Sequence, residues 1–276
     1  PEVKVNGDSP VTFGKKNGTA DTELDEMQVQ EAVSIDVLFS SIGEFGFYQQ
    51  RHYTLVASAW ISCSWCTMSM VFVNAKPSWK YPGGEVQNSD MPCNGTVIEL
   101  VDTWHSVQGE WNLVCEAGWK AGAIDSFFFV GFGIGAFLMG SLAGTLGRRK
   151  VFFGDCLLSS VAVLLSAAAP SFEAYMLLRC LVGVGIGGLG IVTFVLASEF
   201  IGASRQGITG VFQGALFSIG NVLLTPLAYS FPGWRSLTVA TGLSPLIFIL
   251  LIRLVPESPR WLLAKGHVSA ASSVMS

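Results

Sequence analysis

The chain has 276 residues, 50% of them hydrophobic and only 13% charged, with a net charge of −4. Its mean hydropathy is +0.50, and its charged fraction falls well below the roughly 25% of soluble domains, which puts it in the membrane class. No basic stripe points to nucleic acid, and His52, His105 and His267 sit in no catalytic constellation, so no enzyme, metal site or cofactor is expected.

Residues 1–50 read as a cytoplasmic segment, polar up to about Thr22. From Glu23 to Phe39, apolar residues at Leu24, Met27, Val33 and Leu38 predict an amphipathic helix on the membrane surface. Six stretches are long enough to cross roughly 30 Å of hydrocarbon: residues 51–73, 122–146, 151–169, 172–197, 208–229 and 236–255. Residues 147–150 and 170–171 are tight turns, 198–207 a short charged loop, 74–121 a long polar loop and 256–276 a tail.

Charge gives these spans a direction. Arg148, Arg149 and Lys150 follow the second span, Arg205 precedes the fifth, and Arg260 and Lys265 follow the sixth. The opposite short turns carry only Glu173 and Arg235. The positive-inside rule then predicts cytoplasmic termini and an extracellular or lumenal long loop. In that loop Asn94-Gly95-Thr96 is a glycosylation sequon, whereas Asn17-Gly18-Thr19 lies on the predicted cytoplasmic side and reads as chance. Cys93 and Cys115 are the two cysteines outside the spans; an oxidising compartment favours their pairing, with two free thiols as the alternative. Cys63-Ser64-Trp65-Cys66 has a metal-type spacing but lies in an apolar run, and reads as packing.

The run Gly183, Gly185, Gly187, Gly188 lacks the strand and acid of a dinucleotide site, so it predicts close helix packing instead. Gly131 with Gly135, Gly140 with Gly144, and Gly210 with Gly214 repeat the four-residue spacing. Arg179 lies about 10 Å into the fourth span at 1.5 Å per residue; it either snorkels to the headgroups or faces the bundle interior for gating or coupling. Asp155 is expected to be a local charge partner for the Arg148-Arg149-Lys150 cluster rather than a proton relay, and Asp125 needs no special role. Glu199, Arg205, Glu257 and Arg260, with Arg148 and Arg149, put opposite charges at neighbouring helix ends. They are either a solvated face or an ion-pair network that biases two states.

Several motifs stand in one order: Gly140 to Gly147 followed by Arg148-Arg149, Arg179 with its glycines, Ser198-Glu199-Phe200-Ile201-Gly202, and Pro256-Glu257-Ser258-Pro259-Arg260-Trp261-Leu262. The long loop adds Trp111-Asn112-Leu113-Val114-Cys115, and Ser126-Phe127-Phe128-Phe129 opens the second span. Over about residues 35–265 this set resembles the organic cation/carnitine transporters of the major facilitator superfamily, especially the plant members. The resemblance implies an all-α polytopic membrane protein, with this chain as the six-helix N-terminal half of the fold. It implies a plasma-membrane transporter (a vacuolar membrane is the alternative), working by alternating access on a small organic cation or zwitterion, with an unspecified coupling ion. Arg148, Arg149, Arg179, Glu199, Arg205, Glu257 and Arg260 form its expected gating network. Trp60, Trp65, Phe128, Gln213 and Asn221 are the cavity candidates, with aromatic faces able to hold a cation.

Three departures stand out. No acid occurs between Gly140 and Gly147, Glu199 and Arg205 are one residue closer than usual, and Ile61-Ser62-Cys63 replaces an acid often present in plant relatives. An organic anion, sugar or phosphate remains an alternative substrate. A different class is a truncated, non-transporting six-span protein, with which the Ser/Ala-rich residues 268–276 are compatible.

Overall fold

The computed structural model describes residues 46–87, 93, 99–202 and 205–275. The expected amphipathic helix at 23–39 and the sequon at Asn94 lie outside them.

Among the described residues, five helical spans are long and apolar enough to cross a membrane: Phe47–Val73, Cys115–Leu146, Arg148–Ala167, Phe172–Ser198 and Gln206–Ser230. They are called spans one to five below. Span one is offset at Ser58, between helices Phe47–Ala57 and Ala59–Val73, where the Ser58 hydroxyl donates to the Leu55 carbonyl at 2.7 Å. The sixth expected span is shorter than its sequence suggested. It breaks into Trp234–Leu243 and Leu246–Leu250, because Pro245 has no N–H to continue the ladder, and residues 251–254 leave the helix in turns. Beyond it, helices Pro259–Ala264 and Val268–Met275 are separated by Gly266 in a left-handed conformation (φ 76°).

Glycines set the central packing. Gly131 and Gly135 of span two lie against the Cys180 and Val184 carbonyls of span four, and Gly183 and Gly187 lie against the Phe128 and Phe132 carbonyls. A Cβ at any of the four would run into backbone, so the two helices interlock at a distance no larger residue permits. Span five runs parallel to span one and is joined to it by side chains. The Tyr53 hydroxyl donates to the Thr209 carbonyl, Trp60 Nε1 to Gln213 Oε1 at 2.6 Å, the Ser64 hydroxyl to Asn221 Oδ1 at 2.6 Å and Trp65 Nε1 to the Gly220 carbonyl at 2.9 Å.

Burial is uneven. The most apolar windows of spans one, three and four are 61%, 61% and 67% buried, but those of spans two and five only 22% and 17%. Spans two and five therefore present Phe137, Val130, Val211 and Val222 outward. At one end of the bundle the polar loop folds into a three-stranded antiparallel sheet, ordered β2-β1-β3, from β1 Ser78–Lys80, β2 Val86–Gln87 and β3 Glu99–Val101. This is the loop end. The opposite end, with Arg148 and Glu257, is the basic end.

Candidate functional site

Between spans one, two, four and five lies a cavity of about 550 Å³. Trp60 and Gln213 face into it, with Phe129 and Phe132 from span two, Phe194 from span four and Phe217 from span five. Gly190 passes close under the Trp60 ring, and Phe217 meets that ring edge-on at 6.1 Å between centroids. Gln213 is 1% exposed. Its carbonyl is used by Trp60, while its amide nitrogen, beside the Tyr53 phenol, makes no formed hydrogen bond. The wall thus offers aromatic faces for a cation and an amide donor for an anionic group.

Three other cavity candidates lie off this wall. Trp65 and Asn221 are spent joining spans one and five. Phe128 is fully buried and lies beneath Arg179, whose guanidinium carbon is 4.9 Å from its ring centroid. Phe129, the next residue, lines the cavity instead, since a helix turns about 100° per residue. Phe129 and Phe132 sit at helical i, i+3 spacing, which was the available sequence signal for that wall.

Arg179 is 2% exposed, so it turns into the bundle. Its Nε and Nη2 have no hydrogen-bond partner among the described residues; the guanidinium rests on the Phe128 face, with the Asp125 carboxyl of span two within electrostatic range.

At the basic end the charges are arranged more sparsely than a full network. Arg148 pairs with Glu199, Nη2 to Oε1 at 3.0 Å and Nε to Oε2 at 3.1 Å, and also donates to the Ala143 carbonyl. Glu257 makes no side-chain ion pair among the described residues. Instead it accepts the backbone N–H of Arg149 at 2.9 Å, placing its charge at the N-terminus of span three where the helix dipole favours it. Gly147 makes room for this. Its φ is 104°, and a Cβ would come 2.5 Å from Glu257 Oε2. The acid missing between Gly140 and Gly147 is thus replaced by one supplied from 108 positions away. Trp261 Nε1 fastens the motif by donating to the Gly144 carbonyl at 3.0 Å, and the Ser258 hydroxyl caps helix Pro259–Ala264. Arg149 reaches the Ile252 carbonyl at 2.7 Å. Arg205 is exposed and forms no ion pair among the described residues, so it stands outside the cluster; Arg260 is half-buried in the first turn of helix Pro259–Ala264.

The loop end carries a denser set of contacts that sequence reading missed. Arg235 Nη2 meets Glu110 Oε1 at 2.5 Å, and the same guanidinium donates to the Ala167 and Ala169 carbonyls at 2.6 and 3.1 Å. Trp234 Nε1 donates to Glu110 Oε2 at 2.6 Å. The Arg235 guanidinium holds the Glu110 carboxyl below its ordinary value of 4.5, against partial burial that pushes it up, and the Trp234 indole adds to the lowering. Trp111, Tyr175 and Trp234 pack together with centroids 5.4–5.5 Å apart. Cys93 and Cys115 are joined in a disulfide. The only sequence cue to this anchor was the lone basic residue Arg235 at an otherwise uncharged turn.

Asp155 departs from its expected role. It is 1% exposed and pairs with none of Arg148, Arg149 or Lys150, because it faces span four rather than the basic end.

A tightly interlocked bundle of helices, apolar on its outer faces and carrying an aromatic cavity, has the fold of one half of a major facilitator protein. Residues 81–276 match the sugar (and other) transporter family, and the chain belongs to that family. Organic cation/carnitine transporter 4 of Arabidopsis thaliana is 34% identical over 261 residues, covering 91% of this chain and 49% of that protein. An organic cation transporter protein of Drosophila melanogaster is 29% identical, covering 86% of this chain and 50% of its own length. The chain thus spans about half the length of the curated relatives it matches. The xylose transporter XylE of E. coli, in a partially occluded inward-open conformation, superposes with a TM-score of 0.62 at 18% identity, covering 83% of this chain and 53% of XylE.

Proposed function

We propose that the chain is the N-terminal half of a transporter for a small organic cation or zwitterion, with the Trp60–Gln213 cavity as its contribution to the substrate path. The observation that carries this reading is the composition of that wall: aromatic faces from spans one, two, four and five surround one buried amide donor. A quaternary ammonium suits the rings and a carboxylate suits the amide. The names of the relatives support the cation assignment.

The outward apolar faces of spans two and five are where a second six-helix half packs, closing the cavity from the other side. Alternating access then follows from rocking about the glycine-lined contact of spans two and four, with Arg148–Glu199 and Glu257 latching the basic end in one state. We place the basic end in the cytoplasm and the disulfide-bearing loop outside the plasma membrane, in keeping with the positive-inside rule and an oxidising exterior. Arg179, resting on Phe128, is the group we assign to coupling motion of span two to span four.

Equilibrium binding of radiolabelled tetraethylammonium and carnitine to the purified chain in nanodiscs tests the cavity. Saturable binding that is lost in Trp60→Ala and weakened in Gln213→Ala is expected, without saturable uptake by vesicles holding this chain alone. Binding indifferent to both substitutions would remove the cavity from the reading, and robust uptake by the monomeric chain would remove the half-transporter assignment.

A further inference from the structure

Span three carries a carboxyl that none of the contacts above uses. Asp155 is 1% exposed, and its Oδ2 accepts no hydrogen bond. One turn further along the same helix, Ser159 and Ser160 are fully buried with hydroxyls equally unpartnered. Both of these turns of span three press on the glycines of span four. A Cβ on Gly188 would come 2.8 Å from Asp155 Oδ2, and one on Gly185 would come 2.6 Å from the Ser159 hydroxyl.

The surroundings supply no counter-charge. Within electrostatic range of Asp155 lie the Cys63 thiol of span one and the Cys156 thiol of its own helix. Span two contributes Met139 and span four contributes Gly188, neither titratable. From the broken sixth segment, Phe248 packs on Phe152 of the same helix. Arg148 is taken up by Glu199 and Arg179 by Phe128. An ionised carboxylate in this position would be a buried, uncompensated charge, whereas the neutral acid carries no such penalty.

We infer that Asp155 is a proton-binding site at the interface of spans three and four, occupied in this conformation and emptied only when that interface opens to water. The step is the dissociation of the carboxylic O–H, with the proton passing to an entering water and the electron pair staying on the carboxylate. Charge left at Asp155 then weighs against the packed position of span four, which carries Arg179 toward one end and Glu199 at the other. A sodium ion would need several oxygens around it, and protection of the carboxyl by sodium is the outcome that separates a cation site from a proton site. The use of the proton in coupling rests on the transporter reading; the site itself does not.

Infrared difference spectroscopy of the purified chain in nanodiscs reads the proton directly, without any transport. The expected result is a protonated-carboxyl band at neutral pH that disappears in Asp155→Asn. Carbodiimide labelling of the unmodified chain provides a second readout needing no variant. The reagent adds to a protonated carboxyl in an apolar setting, and mass spectrometry should place the adduct on the peptide containing Asp155, with labelling suppressed at alkaline pH. A spectrum unchanged by Asp155→Asn would overturn the inference, as would absence of the adduct. So would protection of Asp155 from the reagent by sodium but not by potassium, since that would make the site a cation site. Loss of tetraethylammonium binding with the band intact would instead count against the transporter reading alone.

Discussion

At the loop end, one guanidinium joins a carboxylate, two backbone carbonyls and an indole, and a disulfide closes the segment above it. At the basic end, the contacts are spread over separate groups: Arg148 with Glu199 and the Ala143 carbonyl, Arg149 with the Ile252 carbonyl, Glu257 with the backbone N–H groups of Arg149 and Ser258, Trp261 with one carbonyl. Both ends tie together segments far apart in sequence, but only at the loop end do a guanidinium and an indole share one side-chain carboxylate. Removing one group there strands several others. Removing Glu199 at the basic end strands Arg148 alone, which is what an arrangement that must break and re-form requires. The comparison teaches that a bundle can be pinned at one end and latched at the other with the same residue types.

The most severe test removes the axis common to both ends. Gly135→Val would drive side-chain atoms into the Val184 carbonyl, at a cost of about 3 kcal/mol or more for overpacking against backbone. Gel filtration should show little monodisperse protein, and normal recovery would mean spans two and four are not interlocked there. Next in size is Arg235→Ala, which removes the ion pair of Glu110, the cation over the Trp234 ring and the donor to two carbonyls, leaving Glu110 held by the Trp234 indole alone. About 2 kcal/mol of destabilisation is expected, read as a drop in melting temperature in detergent. Glu199→Gln should be milder, at about 1 kcal/mol, since it strands Arg148 alone. If the two substitutions cost the same, the contrast between the ends fails.

The smallest effect is a pH dependence confined to the loop end. Because Glu110 is held below its ordinary 4.5, its contribution is fully present above that value and is lost as pH falls through the lowered one. Thermal melts of the intact chain should therefore weaken under acid conditions, and Arg235→Ala should remove this part of the dependence. An acid profile identical in the variant would mean the pair contributes nothing.

Several of these features were legible in the sequence because they depend on local spacing. The spans follow hydropathy runs, and the Gly131/Gly135 contact follows its four-residue repeat, whereas Gly144 and Gly214 in the other two repeats border open space. The features that were not legible depend on what lies across a helix. Asp155 and the Arg148-Arg149-Lys150 cluster share one helix, yet the carboxyl faces Gly188 and away from the cluster. Phe128 and Phe129 are adjacent and chemically identical, and only the helix rotation assigns one to Arg179 and the other to the cavity. Glu110 and Arg235 are 125 positions apart with no motif joining them. Glu257 was visible as a charge, but its use as a helix-terminal acceptor depends on the positive φ of Gly147, which places Arg149 N–H within its reach. The break in the sixth span was signalled by Pro245, inside an apolar run long enough to read as continuous.

Hydrogen exchange of the purified chain in nanodiscs, followed by mass spectrometry, tests most directly whether one end is pinned while the other is latched. Amides in 105–113 and 233–238 should exchange more slowly than those in 147–151 and 256–262, because local opening reports the free energy of each segment. Glu199→Gln should accelerate exchange at the basic end alone. Equal protection at the two ends, or acceleration at both, would contradict the account.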